Sequence, residues 1–250
     1  MKIFITGHKS PDLDSIVAAI SYADLLKKSK KYPEAGIIPA RAGDINKETQ
    51  FVLDKFNTAP PIPLDEAKVG EEDAFILVDH NEESQRHEKI EGHPVLELVD
   101  HHKVNINFAS PLQINIQPLG STSSIVHELY ERVDINPSKK IKSLLLAAIL
   151  SDTQGLKSST TTGLDSDIAH DLAEDLNLKL DELTFEIFKA KSDITGLSPE
   201  EITKKDYKTF QFGEHEVFIN QIETVEPEKI FDIKEDLVKE LEDVKSELGM

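Results

Sequence analysis

The segment MKIFITGHKSPDLDS, residues 1–15, joins a short apolar run to one histidine and two aspartates. The run KIFIT, residues 2–6, predicts a buried strand. His8, Asp12 and Asp14 follow it, and such groups are costly to remove from water unless they are paired or bind a cation. The segment therefore predicts a sheet strand whose end carries part of a metal site.

Three further apolar runs resemble the first: GIIPA at 36–40, AFILV at 74–78 and VLELV at 95–99. Their hydrophobicity is continuous rather than alternating, which is typical of parallel strands covered on both faces. Helical patterns such as DSIVAAISYADLLKKS and NKETQFVLDKFN lie between most of them. We therefore predict an α/β fold with an N-terminal parallel sheet flanked by helices.

The rest of the chain predicts two further parts. Helical patterns dominate from about 121 to 191 and complete a first domain, residues 1–190. The polar stretch 191–206, with Gly196 and Pro199, is interpreted as a linker. Residues 207–250 then predict a hairpin turning near Gly213 and one helix from Pro227 to the chain end, which together form a smaller and incomplete α+β domain.

Composition limits the classes of partner. The 250 residues are 38% hydrophobic and carry 28 Lys and Arg against 47 Asp and Glu, a net charge of -19. This charge repels a phosphate backbone, so we expect no nucleic acid duplex as partner, although a short oligonucleotide held by metals stays open. Without cysteine, a metal site must use histidine and carboxylate. With neither a long apolar run nor a signal peptide, we expect no membrane association and a cytoplasmic location.

Acidic and histidine residues also end the later apolar runs. FILVDHN ends at Asp79 and His80, LELVDHH ends at Asp100, His101 and His102, and the helical run LLLAAILSDTQG ends at Asp152. Ligands bind beyond the carboxyl ends of strands in open parallel sheets, so these residues should converge on one crevice. Together with the first segment they form a metal-site pattern.

Local explanations remain open for two of these residues. Asp14 could cap the helix that follows it, and Asp152 could be a turn residue at the end of its helix. Coincidence for the whole set requires each local explanation to hold separately. Five other histidines have no acidic neighbour at a strand end and are expected to be surface or packing residues: His87, His93, His127, His170 and His215.

The motifs GHKSPDLDS, VDHN, VDHH and SDT, in that order, resemble those of the manganese-dependent family II inorganic pyrophosphatases of the DHH phosphoesterase superfamily. INKETQFVLDKF, GSTSSIVHELY and GLKSSTTTGLDSDIAHDLAEDL also resemble this family, so the resemblance covers residues 1–225. It implies two metal sites, formed by His8, Asp12 and Asp79 and by Asp14, Asp79, His101 and Asp152. Asp79 would bridge the two ions.

The resemblance also implies that residues 1–190 form the metal-binding catalytic domain, that residues 207–250 form part of a substrate-binding domain, and that particular residues act around the substrate. His102 would contact the phosphates, and Asp100 would support the neighbouring histidines, which places both with Asp79 among the catalytic residues. Lys208 would reach the substrate from the second domain; the alternative is a solvated lysine on an exposed hairpin.

The implied activity is hydrolysis of pyrophosphate to two phosphates by a hydroxide that bridges two divalent ions. Manganese(II) is the preferred ion and cobalt(II) the alternative, with magnesium brought by the substrate. Two other functions stay open: an exopolyphosphatase or a phosphodiesterase for short oligonucleotides or cyclic dinucleotides, and a non-catalytic metal or nucleotide sensor. A homodimer is the oligomeric state that we keep open.

Two departures from the family pattern carry expectations. Ser10 and Leu13 stand where the family usually has Asn and Thr; neither position is a ligand, so metal binding should survive while substrate or solvent contacts shift. The resemblance also implies that the family's second domain continues further and supplies an Arg-Lys segment that grips the phosphates. We expect that the 250 residues alone hydrolyse pyrophosphate poorly at low substrate concentration.

Overall fold

The computed structural model describes residues 1–205, 207–213, 215–222 and 224–248. The chain divides into two compact units, Met1–Ile187 and Phe188–Met250. Residue 206 of the predicted linker and residues 214, 223, 249 and 250 of the predicted second domain lie outside the described residues. The domain boundaries drawn from the sequence stay a prediction.

Eight strands and nine α-helices lie within the described ranges. The strands are β1 (Lys2–Thr6), β2 (Gly36–Arg41), β3 (Ile62–Pro63), β4 (Ala74–Val78), β5 (Val95–Asp100), β6 (Gln113–Ile116), β7 (Tyr207–Phe212) and β8 (His215–Asn220). The helices are α1 (Leu13–Ser29), α2 (Lys47–Lys55), α3 (Thr122–Arg132), α4 (Lys139–Asp152), α5 (Gly163–Leu176), α6 (Leu180–Lys191), α7 (Pro199–Thr203), α8 (Pro227–Asp232) and α9 (Lys234–Leu248). Short 3-10 helices occupy Leu64–Glu66, Glu83–Gln85 and Glu88–Ile90.

Strands β1 to β6 form one sheet in the order β3-β2-β1-β4-β5-β6, and every pair is parallel. The predicted α/β fold class is therefore confirmed. The strand order reverses between β1 and β4, because the chain adds strands on one side of β1 and then returns to its other side. Such a reversal opens a crevice at the carboxyl ends of the two strands, where ligands of α/β proteins bind.

Successive side chains of the central strands point to opposite faces of the sheet, and both faces are covered, which explains why these strands are hydrophobic throughout. Ile3 and Ile5 of β1 face a large core shared with helices α1 to α6, whereas Phe4 faces a smaller core on the opposite side of the sheet. In the smaller core the covering residues include Leu64 and Ile90 of the 3-10 helices. The strands are thus buried on both faces, as predicted, and β3 and β6 are short edge strands that the sequence did not reveal.

A glycine sets the distance between β1 and α1. A Cβ atom on Gly7 would lie 1.7 Å from Ser15 Oγ, 2.8 Å from Ser15 Cβ and 3.2 Å from Ser15 Cα. The first turn of α1 therefore packs directly against the backbone that follows β1. This contact fixes the positions of the residues on either side of it.

In the second unit, β7 and β8 form an antiparallel hairpin, and Gly213 lies beside its turn with a φ of 62°. Helix α7 lies inside the stretch interpreted as a linker. The single helix predicted from Pro227 onward is wrong: α8 ends at Asp232 and α9 begins at Lys234. The break follows Phe231 and Asp232 and includes the β-branched Ile233, all weak helix formers.

None of the helices in the described ranges has both the length and the apolar character needed to cross a membrane.

Gly7→Ala should destabilise the protein by about 1 to 3 kcal/mol, because the added methyl group overpacks the contact with Ser15. Chemical unfolding followed by circular dichroism measures this change. Gly163→Ala is the matched control, since a Cβ atom there meets nothing within 4 Å. Equal unfolding free energies for the two variants would contradict the tight packing at Gly7.

Candidate metal centre

The site begins at the strand reversal, where the residues after β1 and β4 meet. His8 Nε2 lies 3.5 Å from Asp79 Oδ2 and 3.6 Å from Asp12 Oδ1. His8 Nδ1 lies 2.7 Å from the carbonyl oxygen of Lys9. Since a carbonyl oxygen only accepts, Nδ1 carries a proton and Nε2 is the atom directed at the two carboxylates.

Asp79 lies at the centre of the cluster and is 1% exposed. Its φ of 60° places the backbone in the left-handed region, a costly conformation that is common at functional sites. The hydroxyl of Thr122 donates to Oδ1 at 2.9 Å, whereas Oδ2 is buried without a hydrogen bond among the described residues. A buried carboxylate oxygen without a donor is suited to a cation.

His101 follows β5 and connects Asp79 to the end of α4. Its Nε2 atom lies 3.6 Å from Asp79 Oδ1 and 3.6 Å from Asp152 Oδ2. Its Nδ1 atom donates to the carbonyl oxygen of Leu119 at 2.9 Å. This hydrogen bond fixes the tautomer and the ring orientation, as is usual for histidines that bind metals.

Asp14 is fully buried and accepts three hydrogen bonds from the start of α3. Ser121 Oγ donates at 2.8 Å, the Thr122 amide at 2.6 Å and the Ser123 amide at 3.0 Å. The suggestion that Asp14 caps α1 is wrong, because Asp12 is the N-cap and accepts from the Ser15 amide at 2.9 Å. The helix starts one residue before Asp14, which turns that carboxylate inward to α3.

These side chains form two ligand groups, in each of which one donor atom per residue lies within 4.8 Å of the others. Group one contains His8, Asp12 and Asp79, and group two contains Asp14, Asp79, His101 and Asp152. The same criterion joins Asp79 and His101 to His102. His8, Asp12, Asp14, Asp79, His101 and Asp152 thus converge as expected, with Asp79 common to both groups. His80 belongs to no such group among the described residues, and its Nδ1 atom lies 2.9 Å from the Val78 carbonyl oxygen.

The donor set fits divalent cations. Separations near 3.6 Å exceed hydrogen-bond length, but two ligand atoms that each lie about 2.0 to 2.2 Å from one ion are separated by roughly this distance. Imidazole and carboxylate together suit borderline ions such as manganese(II). Asp152, the last residue of α4, is both a helix-end residue and a member of group two.

Asp100 and His102 form a pair beside the cluster. Asp100 is fully buried and accepts from His102 Nδ1 at 2.9 Å, from the His102 amide at 3.1 Å and from Asn81 Nδ2 at 2.5 Å. Hydrogen bonding to Asp100 raises the pKa of His102 to about 9. With this pKa the ring is charged at neutral pH, and the side chain is 53% exposed, so the ring is open to solvent.

Burial and crowding of carboxylates control the protonation of the cluster. Burial, together with the charges of Asp14 and Asp12, raises the pKa of Asp79 and of Asp152 well above the usual range. Burial disfavours the charged form of His8, yet the nearby carboxylates of Asp12 and Asp79 stabilise that form and raise its pKa to about 11. Without a metal, a proton on His8 therefore supplies the positive charge that group one requires.

The other residues that the sequence analysis singled out lie outside the two ligand groups. Lys208 lies on the exposed strand β7 of the second unit, so its approach to substrate stays a prediction. Ser10 has a φ of 53° in the turn before α1, and Leu13 is buried in the core on the helix side of the sheet. His87 and His127 are buried, His170 and His215 are exposed and His93 packs on Phe75. None of these five belongs to a ligand group among the described residues.

Sequence reasoning missed the residues that hold the ligands. Ser121, Thr122 and Ser123 contact Asp14 or Asp79, and Asn81 holds Asp100. The available signal was the run of serine and threonine at 121–124, directly before an apolar helical pattern. Buried hydroxyl groups need hydrogen-bond partners, so this run indicates polar contacts inside the protein.

Manganese binding should release protons at neutral pH. His8 with a pKa of about 11 is charged before binding and must lose its Nε2 proton to become a ligand. The apparent affinity should therefore rise with pH, by up to about tenfold per pH unit for each proton released. Calorimetric titration in buffers of different ionisation enthalpy measures the release. Binding heats that do not depend on the buffer, or an unchanged release in His8→Asn, would contradict this protonation state.

Comparisons with known proteins agree with the geometry. The N-terminal domain of the DHH family matches residues 2–149, and the DHHA2 domain matches residues 185–250. A manganese-dependent inorganic pyrophosphatase of Methanocaldococcus jannaschii is 41% identical over 249 residues, which cover 96% of this chain and 77% of that protein.

Solved structures show the same fold. A Methanococcus jannaschii protein assigned to the family II inorganic pyrophosphatases matches with a TM-score of 0.75 and 38% identity, covering 99% of this chain and 80% of that one. An exopolyphosphatase-related protein from Bacteroides fragilis matches with a TM-score of 0.59 and 16% identity, covering 84% and 62%. The second likeness concerns the fold alone.

Proposed function

The chain belongs to the DHH family and, within it, to the manganese-dependent inorganic pyrophosphatases, and we propose that it hydrolyses inorganic pyrophosphate to two phosphates with manganese as cofactor. The observation that carries this proposal is the pair of ligand groups that share Asp79. Two groups with a common carboxylate suit a pair of ions acting on one phosphorus centre.

The proposal assigns one ion to group one and the other to group two, with Asp79 as the shared ligand. When bound, the ions polarise phosphoryl oxygens and lower the pKa of coordinated water. The protein contributes the fixed orientation of the ligands: His8 is held by the Lys9 carbonyl and His101 by the Leu119 carbonyl. Both rings then present Nε2 to the ions.

His102 is proposed to bind a phosphate oxygen. Asp100 accepts from its Nδ1 atom, so the charged ring has its second proton on Nε2 and can donate it to an anion. A cavity of about 320 Å³ lies in front of this ring and is lined by His8, Asp79, His80, Asn81, Glu82, Gln85, His102 and Lys103. A charge-assisted hydrogen bond from His102 would strengthen as charge builds on the leaving phosphate.

Cationic side chains are needed in addition to the metals. The ligand carboxylates Asp12, Asp14, Asp79 and Asp152 balance the charge of two divalent ions, so the loaded cluster attracts an anion only weakly by itself. Lys103 lines the cavity and His102 is charged, and both support binding of pyrophosphate. Lys208 is proposed as a further contact, carried over from its match to a family lysine. The cytoplasmic location and the homodimer stay predictions.

Phosphate release from pyrophosphate, tripolyphosphate and a linear dinucleotide, measured side by side in excess manganese, tests the proposed function. We expect turnover of pyrophosphate to exceed that of the other two, and a chelator to abolish it. Faster release from tripolyphosphate would indicate an exopolyphosphatase, and faster cleavage of the dinucleotide a phosphodiesterase. No turnover of any of them, with manganese bound, would indicate a sensor.

Asp79→Ala should abolish hydrolysis, whereas Asp100→Ala should leave a measurable rate. Loss of Asp79 removes a ligand from both groups, but loss of Asp100 only releases the orientation of His102. Changes to residues that orient a ligand typically reduce activity by about 10- to 100-fold. Steady-state rates at saturating manganese make the comparison. Equal residual rates in the two variants would contradict the assigned roles.

A further inference from the structure

We propose that Asp165, which belongs to neither ligand group, is a positioning residue for the metal of group two. The inference rests on the metal assignment made under the proposed function. It concerns the segment 119–124, which comprises the residues before α3 and the first turn of that helix. Asp165 fastens this segment, and the segment holds three of the four ligands of group two.

Asp165 lies in the first turn of α5 and is fully buried. Its Oδ2 atom accepts from the Gly120 amide at 2.8 Å, the Thr162 amide at 2.8 Å and the Thr162 hydroxyl at 2.6 Å. Its Oδ1 atom accepts from the Ser124 hydroxyl at 2.6 Å. One carboxylate thus joins the start of α5 to two points in segment 119–124.

Leu119, directly before the first of these two points, and the residues between them contact the ligands. The Leu119 carbonyl orients His101, and Ser121 and the amides of Thr122 and Ser123 donate to Asp14. The Thr122 hydroxyl donates to Asp79. Any displacement of the segment would therefore move hydrogen-bond partners of Asp14, Asp79 and His101 at the same time.

Gly120 provides a second, independent sign of this arrangement. A Cβ atom at this position would lie 2.9 Å from Asp165 Oδ2 and 2.7 Å from Thr153 Cγ2. Thr153 directly follows the group-two ligand Asp152. The absence of a side chain at Gly120 lets the segment pack closely against both Asp165 and the end of α4.

Group one is supported differently, which makes the proposal selective. His8 is held by the Lys9 carbonyl, and Asp12 accepts from the Ser15 amide, so both depend on the β1–α1 turn. Of the group-one residues, only Asp79 contacts segment 119–124, through the Thr122 hydroxyl. Loss of the Asp165 carboxylate should therefore weaken the ion of group two much more than the ion of group one.

The experiment is a manganese titration of Asp165→Ala, with calorimetry and the paramagnetic resonance of free Mn²⁺ as readouts. We expect one of the two ions to bind about 10- to 100-fold more weakly than in the wild type, and the other within about threefold of it, as for changes that disturb ligand orientation. If both ions bind as in the wild type, the proposal is overturned.

Two control variants separate positioning from general stability. Asp165→Asn should bind both ions nearly normally, because its carbonyl oxygen can replace Oδ2 while its amide donates to Ser124 Oγ. Thr162→Val removes the side-chain cap of α5 but leaves the bonds of Asp165 to Gly120 and Ser124. If Thr162→Val weakens metal binding as much as Asp165→Ala does, the effect comes from the helix cap and the proposal fails.

Circular dichroism in the presence of a chelator shows whether each variant folds. Should Asp165→Ala fail to fold, Gly120→Ala tests the same contact by pushing the segment away from Asp165, and normal binding of both ions there overturns the proposal. Metal binding is measured without pyrophosphate. A selective loss of one ion in a protein whose wild type hydrolyses no pyrophosphate would support the role of Asp165 while rejecting the proposed function.

Discussion

Four carboxylates gathered at one edge of a buried sheet are the constraint on which the rest of the first unit depends. Asp79 is surrounded by other acids, and burial together with the charges of Asp14 and Asp12 raises its pKa. Carboxyl groups packed this closely do not all ionise unless positive charge or hydrogen-bond donors compensate their repulsion. The α3 amide groups that donate to Asp14 supply part of it, aided by the positive end of the helix dipole. Cations complete the compensation.

The strand reversal explains why these residues meet although they lie far apart in the chain. β1 and β4 are paired in the centre of the sheet, so His8 and Asp79, which follow these strands, come together although they lie far apart in the sequence. Both strand ends could be predicted from the sequence, because each apolar run is closely followed by a residue of the ligand groups. Because ligands bind at the carboxyl ends of strands in parallel sheets, these residues could be expected to lie close together.

The supporting residues could not be predicted in the same way. Asp14 and its three donors are separated by 107 to 109 positions, and serine and threonine are too common to single out by spacing. The sequence alone left open the alternative that Asp14 caps α1, because a helix start that differs by one or two residues exchanges the cap and the buried acid. Asp165 has an ordinary local role as part of a capping box, which hides its long-range contacts with Gly120 and Ser124.

The left-handed backbone at Asp79 also restricts how this position can change during evolution. Glycine adopts that conformation easily but has no carboxylate, and glutamate has the carboxylate but disfavours the conformation. Asparagine tolerates the backbone but lacks the negative charge. No single substitution therefore preserves both the backbone conformation and the charge at this position, so substrate preference within such a fold would have to diverge through the other residues that line the cavity.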